Sequence, residues 1–387
     1  MHLPLMEFGN EGLSLRRLQA VVDAARESGF AAVSANDHFV FSTPWLDGPT
    51  ALAAVIERSG DMTLATTISL ASLRGPVPLA KTLAAVDLLS GGRLVAGVGP
   101  GSSKRDYDAL GISFEDRWKR FDEAVVILRA LLRDEPLPDH PNHFALPDAP
   151  LAPAPRRADG IPLWIGSWGS PAGLRRVARL GDGWLASGYN TTPEQFASAR
   201  EALAIELARQ GKSAAQFPNA LVTIWTWITS DRADRDRVLR EVLSPLLRRD
   251  PDQLGAQVCV GSADHCAQLL SRYAEAGCQR AYLWPLGDEA RQLELAAEIA
   301  PRVHCSCSVD QLAADRKMKT SRDALSGARP RRHRDCSRAS SSSATWAACL
   351  AACTRDRSAG YEDRSITRRG GCQRGATSRL SVVGPER

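Results

Sequence analysis

Short apolar runs alternate with amphipathic segments of helical length from residue 1 to residue 304. Eight of the runs have the length and the β-branched composition of buried strands. They are Leu3–Phe8, Ala31–Ala35, Thr63–Ser69, Arg93–Val98, Ile161–Gly166, Gly183–Ser187, Leu221–Thr229 and Arg280–Trp284. Ser14 and Thr50 are suited to cap helices that follow, and Gly29 is suited to end one. The alternation predicts parallel strands joined by crossover helices.

Eight strand–helix units in about 300 residues match the size of a TIM barrel, whereas a doubly wound open sheet usually has fewer strands. We therefore predict an α/β fold, a (β/α)8 barrel, over residues 1–304. The Pro-rich stretch 134–162 has no periodicity. We expect it to cross the carboxyl-terminal face of the barrel, where active-site lids are built.

The pattern ends near residue 304, and residues 305–387 form a tail rich in Arg, Ser and Cys. The tail contains 15 Arg and 2 Lys against 8 acidic residues, together with the homopolymer Ser340–Ser343. Low hydrophobicity with excess positive charge favours disorder. A second hypothesis is that the tail is an out-of-frame translation of GC-rich DNA. Either way, we predict that it contributes no element to the barrel.

The net charge of +5 divides into +9 for the tail and −4 for residues 1–304. An acidic main body argues against nucleic acid as a partner, because phosphate binding requires a basic face. No run approaches the ~20 apolar residues of a membrane span, and the start of the chain lacks a signal pattern. We therefore expect a cytoplasmic protein with no membrane partner.

The first 304 residues contain three cysteines, Cys259, Cys266 and Cys278. An odd and sparse set of this kind is typical of reduced thiols in a large cytoplasmic domain. His265 and Cys266 are adjacent, but no spaced pair of His or Cys accompanies them, so we predict no metal site.

In a barrel of this kind, catalytic residues follow the carboxyl ends of the strands. Asn36–Phe39 directly follows the second predicted strand. Asp37 and His38 form a candidate acid/base pair, since imidazole titrates near neutrality and a carboxylate can hold the ring. The alternative is that both residues are structural, because no Ser or Cys nucleophile completes a triad.

A glycine-rich turn, Gly97–Gly101, follows the fourth predicted strand. Such glycines let backbone amides approach a planar ring or a phosphate. The turn is not the dinucleotide-binding fingerprint, because its third glycine comes one residue early. A simple chain reversal is the alternative interpretation.

In their order along the chain, these segments resemble the luciferase-like monooxygenase family, and most closely its branch that uses the deazaflavin coenzyme F420. The resemblance covers about residues 1–302 and implies a TIM barrel that binds a flavin or a deazaflavin. The matching blocks are Asn36–Phe39, Arg74–Val77 with Leu79–Lys81, Asp87–Leu94, Gly97–Gly101, Ala109–Gly111, Arg120–Glu123, Pro162–Gly166 and Gly181–Trp184.

The resemblance also implies roles for individual residues. Asp37 and His38 would lie over the cofactor ring, with His38 stabilising or protonating it. Thr67 and Ile68 would lie under the ring and be joined by a non-prolyl cis peptide bond. The other cofactor contacts would come from Gly99 and Gly101 at the ring or ribityl chain, and from Gly166, Ser167, Gly181 and Gly183 at the phosphate.

Four aromatic residues are candidates for the substrate pocket: Phe39, Trp45, Trp168 and Trp225. They suggest an apolar organic substrate, although each could equally be a core residue. Ser102 follows the glycine turn at the position where sugar-phosphate dehydrogenases of this branch have a catalytic Glu. That difference argues against a sugar-phosphate substrate.

Three functions stay open at this point. The first is an F420-dependent oxidoreductase that transfers a hydride to or from a small organic substrate. The second is an FMN-dependent monooxygenase that takes reduced flavin from a partner reductase and uses oxygen. The third is a cofactor-free barrel that acts as a binding protein. We expect the chain to assemble as a homodimer.

Overall fold

The computed structural model describes residues 1–8 and 12–303, so the predicted tail 305–387 lies outside the described residues. The described part contains one parallel sheet in which β1 to β7 pair in chain order and β8 pairs with β6. The strands are β1 (Ala32–Ala35), β2 (Thr63–Leu70), β3 (Leu94–Gly99), β4 (Leu163–Gly166), β5 (Gly183–Ser187), β6 (Asn219–Ile228), β7 (Cys259–Gly261) and β8 (Ala281–Pro285). The predicted α/β architecture is confirmed.

The predicted first strand, Leu3–Phe8, is wrong as a regular strand. The N–H of His2 donates to a carbonyl of β8, and the N–H of Leu3 donates to a carbonyl of β1, both at 2.8 Å. The segment therefore fills the gap between β8 and β1, with isolated bridges in place of a ladder. Pro4 has no N–H to donate, which interrupts the ladder at this point.

The short strand β7 was not predicted. It pairs with the last three residues of β6, Thr226–Ile228, whereas β5 pairs with the first four, Asn219–Val222. A three-residue strand is too short for an alternating pattern to be recognised in the sequence.

Helices return the chain from each strand to the next. They are α1 (Leu15–Glu27), α2 (Gly48–Ala54), α3 (Ala71–Arg74), α4 (Pro76–Leu89), α5 (Lys104–Ala109), α6 (Arg117–Arg133), α7 (Pro171–Leu180), α8 (Pro193–Arg209), α9 (Arg232–Arg237), α10 (Ser244–Leu247), α11 (Pro251–Gln257), α12 (Ala263–Glu275) and α13 (Glu289–Ile299). A π-helical turn, Val238–Leu243, joins α9 to α10. Ser14 caps α1 as predicted, but Asp47 rather than Thr50 caps α2.

The middle of the Pro-rich connection 134–162 reaches the edge of the carboxyl-terminal face, where the ring of Phe144 lies 3.9 Å from a Cβ built on Gly75, the residue before α4. The connection joins the end of α6 to the start of β4, and both of these lie at the amino-terminal side of the sheet. Glu123 of α6 accepts the N–H groups of Asn142, His143 and Phe144. The connection is therefore a strap along the outside of the barrel.

A different segment covers the carboxyl ends of the strands. The connection between β6 and β7, residues 229–258, contributes Val238, Leu239, Leu243 and Leu254 to a second apolar cluster. The same cluster contains Trp225 of β6 and Trp284 of β8. Burial of these side chains fixes the connection over one side of the barrel mouth.

A chain that ends after Val303 is expected to melt at nearly the same temperature as the full chain. The eight strands precede this point, and Val303 itself packs in the main core. The composition of the tail cannot bury a core of its own. Thermal unfolding followed by circular dichroism would check this prediction, and loss of soluble protein on truncation would contradict it.

Candidate active site

His38 lies at the mouth of the barrel and forms a pair with Asp106. It follows β1, and its Nδ1 is 2.8 Å from Oδ2 of Asp106, which belongs to α5 after β3. The His38 side chain is 18% exposed, whereas that of Asp106 is buried. The other oxygen of Asp106 accepts the N–H groups of Phe39, at 3.0 Å, and of Val40, at 2.7 Å.

Two opposing effects set the ionisation of Asp106. Burial favours the neutral acid, but the hydrogen bonds from His38, Val40 and Phe39 outweigh it and lower the pKa of Asp106 below its ordinary value. The carboxylate is therefore ionised at neutral pH, and both of its oxygens accept hydrogen bonds. Nε2 of His38 has no hydrogen-bond partner among the described residues.

Aromatic rings surround His38 on the side of β1, β6 and β8. The His38 ring centroid lies 4.8 Å from that of Phe41 and 4.6 Å from that of Trp45. Trp45 meets Trp284 edge-on at 5.7 Å, and Trp284 stacks on Trp225 at 4.2 Å. These rings form a continuous aromatic wall, in which the indole N–H groups of Trp45, Trp225 and Trp284 are buried and have no hydrogen-bond partner among the described residues.

The predicted pocket aromatics lie at different depths. Trp45 contacts His38 directly, whereas Trp225 is buried in the second cluster. Phe39 is 41% exposed, and the guanidinium of Arg74 lies 5.0 Å from its ring centroid. Trp168, after β4, is 57% exposed. Of the four, only Trp45 packs against the His38 ring.

Asp37 does not pair with His38, which differs from the prediction, because its carboxylate is bound by other groups. Its buried carboxylate receives two hydrogen bonds from Arg74: Nε to Oδ2 at 2.5 Å and Nη2 to Oδ1 at 2.7 Å. The N–H of Leu70 also donates to Oδ2, and Arg74 additionally pairs with Asp47. Asp37 therefore ties the β1 connection to the end of β2.

The end of β2 provides a polar surface beside Asp37, whose carboxylate accepts the N–H of Leu70. The peptide bond between Thr67 and Ile68 is cis, as predicted. The hydroxyls of Thr67 and Ser69 are buried and have no hydrogen-bond partner among the described residues. Buried polar atoms without a partner are rare in proteins. A cofactor with hydrogen-bonding atoms along its edge would satisfy them, so these residues fit a flavin or a deazaflavin.

Gly99 and Gly166 make room for the side chain of Ile68. A Cβ atom on Gly99 would lie 2.8 Å from Cδ1 of Ile68, and one on Gly166 would lie 3.2 Å from its Cγ2. Gly101 has a φ of +82°, and a Cβ there would lie 2.8 Å from Leu70. These glycines therefore determine where the end of β2 lies.

Ser167 follows β4 at the carboxyl-terminal face. Its N–H donates to the carbonyl of Leu185 in the sheet. This amide is therefore not free to bind the cofactor phosphate, contrary to the prediction. Its hydroxyl accepts the N–H of Gly169, and Ser170 caps α7. Beside them, a surface groove of about 640 Å³ runs between the starts of α7 and α8, with Trp168 at its edge.

Gly181 and Gly183 lie at the opposite end of the strands from His38, which contradicts their predicted role as phosphate ligands. Gly181 directly follows α7, and its N–H donates to the carbonyl of Val177 in the last turn of that helix. Gly183 begins β5 and pairs with Trp164. A Cβ on Gly183 would lie 2.5 Å from the Trp164 ring, so this glycine serves packing.

Sequence reasoning missed Asp106 and Arg74, and also Ser69, Phe41 and Trp284. Asp106 stands shortly after the glycine turn of β3, and hence on the same face as His38, which was a usable signal. Arg74 belongs to a block of the family resemblance, Arg74–Val77, for which the sequence predicts no role. Asp106 and Arg74 are recognised through partners that are distant in sequence.

Two further features of the described residues concern metals and membranes. In residues 1–8 and 12–303, no three His, Cys, Asp or Glu side chains are grouped so that they could hold a metal ion. Helices in the same ranges are too short or too polar to cross a membrane.

The sequence model of the luciferase-like monooxygenase family matches residues 5–280. Among curated proteins, the chain is 32% identical to 4-hydroxyprotoasukamycin monooxygenase of Streptomyces nodosus subsp. asukaensis, over 60% of each chain. It is 29% identical to an F420-dependent glucose-6-phosphate dehydrogenase of Amycolatopsis mediterranei, over 42% of this chain and 50% of the relative. The chain thus matches only about half of the length of these relatives.

Two solved structures show the same fold. One is an F420-dependent secondary alcohol dehydrogenase in complex with an F420–acetone adduct, with a TM-score of 0.66, 20% identity, and coverage of 76% of this chain and 96% of that chain. The other is the oxygenating constituent of 3,6-diketocamphane monooxygenase from Pseudomonas putida in complex with FMN. Its TM-score is 0.61, with 19% identity and coverage of 78% of this chain and 96% of that chain.

Proposed function

The chain belongs to the luciferase-like monooxygenase family, and from this premise we propose that it is an oxidoreductase that binds coenzyme F420 and transfers a hydride to or from a small organic substrate. The relatives that use F420 support the choice of cofactor. When bound, the deazaflavin supplies the hydride chemistry, and the protein supplies binding, orientation and proton handling.

The observation that carries this proposal is the His38–Asp106 pair at the mouth of the barrel. Loss or gain of a hydride at a carbon that bears oxygen requires a proton to leave or reach that oxygen. Nε2 of His38 is the atom proposed to hold that proton, since its other ring nitrogen is occupied by Asp106. A positioned imidazole is well suited to this role near neutral pH.

We propose that the cofactor ring lies against the end of β2. The unpartnered hydroxyls of Thr67 and Ser69 would bind the polar edge of the ring, and Ile68 would lie beneath its face. Gly99 and Gly101 pack closely against this segment, since a Cβ atom on Gly99 would lie 2.8 Å from Ile68 and one on Gly101 would lie 2.8 Å from Leu70. The opposite side of the site is the aromatic wall, against which the rings or hydrocarbon parts of an organic substrate would pack.

The phosphate of the cofactor is proposed to lie at the turn between β4 and α7. This turn contains Gly166 and the hydroxyl of Ser167, and it ends at the amino terminus of α7. The first N–H groups of a helix and its dipole favour an anion. Trp168, exposed beside the turn, is available to cover the cofactor chain.

An FMN-dependent monooxygenase is the second candidate. It is favoured by the similarity to 4-hydroxyprotoasukamycin monooxygenase and by the shared fold with an FMN-bound oxygenating component. Such an enzyme would require reduced flavin from a partner reductase, and oxygen as a second substrate. The same surface at Thr67 and Ser69 would serve either ring, so a direct comparison of the two cofactors separates the two candidates.

We expect purified protein to bind oxidised F420 at least about tenfold more tightly than FMN, a difference of ~1.4 kcal/mol. Titration with each cofactor, followed by fluorescence quenching, measures both dissociation constants. Tighter binding of FMN, with oxygen uptake when reduced FMN and an organic substrate are supplied, would identify the monooxygenase instead. Binding of neither cofactor at saturating concentration would favour the cofactor-free barrel.

We also propose that the enzyme acts in the cytoplasm as a homodimer. Cys259, Cys266 and Cys278 are free thiols, as expected in a reducing compartment. Size-exclusion chromatography with light scattering would measure the assembly state.

A further inference from the structure

We propose that Asp106 is a positioning residue that fixes His38 in the tautomer protonated on Nδ1, so that an unprotonated Nε2 faces the reacting atoms. The role given to Nε2 rests on the proposed function, whereas the tautomer does not. The two parts can therefore be tested separately.

Asp106 makes three contacts with one short stretch of chain. Oδ2 binds Nδ1 of His38, and Oδ1 accepts the N–H groups of Phe39 and Val40. A single carboxylate therefore holds both the ring and the backbone of the turn that carries it. The ring has little freedom to rotate, because Phe41 and Trp45 pack against it.

The carboxylate itself is held in place by its neighbour on α5. Tyr107 is fully buried, its hydroxyl donates to the carbonyl of Pro100, and its ring meets that of Phe114 edge-on at 5.3 Å. It also packs in one apolar cluster with Leu70. Asp106 is thus anchored to the glycine turn of β3 and to the end of β2, the proposed support of the cofactor ring.

Ionisation of Asp106 decides which nitrogen of His38 carries the proton. An ionised carboxylate can only accept hydrogen bonds, so the Nδ1 facing it must donate. In water a neutral imidazole prefers the proton on Nε2, so the protein reverses the intrinsic preference. The same arrangement of carboxylate and imidazole sets the tautomer of histidines at metal and hydrolase sites.

Asp106→Asn tests the proposal with almost no change in shape. The Asn oxygen can still accept the N–H groups of Phe39 and Val40, but its amide must donate to His38 Nδ1. The proton of His38 should then move to Nε2. Uniformly 15N-histidine-labelled full-length protein, without cofactor, reports the tautomer through the Nδ1 and Nε2 shifts at a pH where the ring is neutral. The spectrum of His38→Gln identifies the His38 signals among the seven histidines.

The wild-type protein is expected to show a protonated Nδ1, and Asp106→Asn a protonated Nε2. Turnover of Asp106→Asn with bound cofactor should fall by about tenfold or more, with cofactor affinity changed by no more than a few-fold. Asp108→Asn is the matched control. It lies on the same helix with an exposed side chain that pairs with Lys104, and it should change neither the tautomer nor turnover.

Two results would overturn the inference in different ways. A protonated Nε2 in the wild-type protein would refute the positioning role, whatever the enzyme catalyses. That measurement does not depend on the variant folding. A tautomer that moves in Asp106→Asn with no loss of turnover would refute the role of Nε2 and, with it, that step of the proposed function.

Discussion

Replacing His38 with Ala is expected to lower turnover by about 100-fold or more while cofactor affinity stays within several-fold of wild type. A general acid or base contributes about 10²–10⁴ in rate, and it acts mainly in the transition state. The cofactor should still bind through the end of β2 and the turn before α7. Steady-state turnover and fluorescence titration of the same preparations measure the two effects separately.

His143→Ala is the matched control for this variant. His143 lies on the outer strap, where its backbone N–H binds Glu123, so its removal should not affect turnover. Partial restoration of His38→Ala activity by added imidazole would support a proton-transfer role. Full activity of His38→Ala would refute that role, and an early-melting variant that binds no cofactor would show that His38 is structural.

The periodicity of the chain was sufficient to predict the barrel, because most of its strands are buried runs of four residues or more. It failed where the local sequence and the tertiary context disagree. Leu3–Phe8 has the composition of a strand, but Pro4 removes one ladder donor. Cys259–Gly261 is a strand only because the end of β6 offers it an edge to pair with.

The sequence predicted only those parts of the site that depend on residues close together in the chain. His38 could be selected because it follows a strand, but its partner lies 68 residues away and no pattern connects the two. Adjacency in the sequence favours Asp37 as the partner of His38. In the structure, however, Asp37 accepts hydrogen bonds from Arg74 and Leu70, whereas His38 pairs with Asp106.

Glycines were the least informative signal. Gly99 and Gly183 looked alike in the sequence, yet one lies at the mouth of the barrel and the other at its base. A Cβ atom on Gly99 would clash with the side chain of Ile68, and a Cβ atom on Gly183 would clash with the ring of Trp164. Packing of this kind depends on the neighbouring strand and cannot be inferred from the glycine itself.

Arg74→Met is expected to lower the free energy of unfolding by about 3–5 kcal/mol. Removal of one partner from a buried ion pair leaves the other charge uncompensated. The Asp37 side chain is only 1% exposed, and Arg74 supplies two of the three hydrogen bonds to its carboxylate. Urea unfolding followed by fluorescence would measure the change.

The double variant Arg74→Met/Asp37→Asn distinguishes two contributions to the lost stability. One is the cost of leaving the Asp37 carboxylate buried without its cation, and the other is the loss of the contacts made by the Arg74 side chain. A neutral amide at residue 37 can still accept the Leu70 N–H and has a far smaller desolvation cost than a carboxylate. The double variant should therefore recover part of the stability that Arg74→Met alone loses, which gives a non-additive cycle. Arg179→Met is the control, since Arg179 is half exposed and pairs with Asp122 at the surface, where such pairs contribute about 0–1 kcal/mol. If the losses in free energy of unfolding of Arg74→Met and Asp37→Asn add up to that of the double variant, the loss of Arg74 does not leave a buried, unpaired charge on Asp37. The carboxylate would then have to be solvated or protonated in the variant, and a catalytic role for Asp37 would be open again.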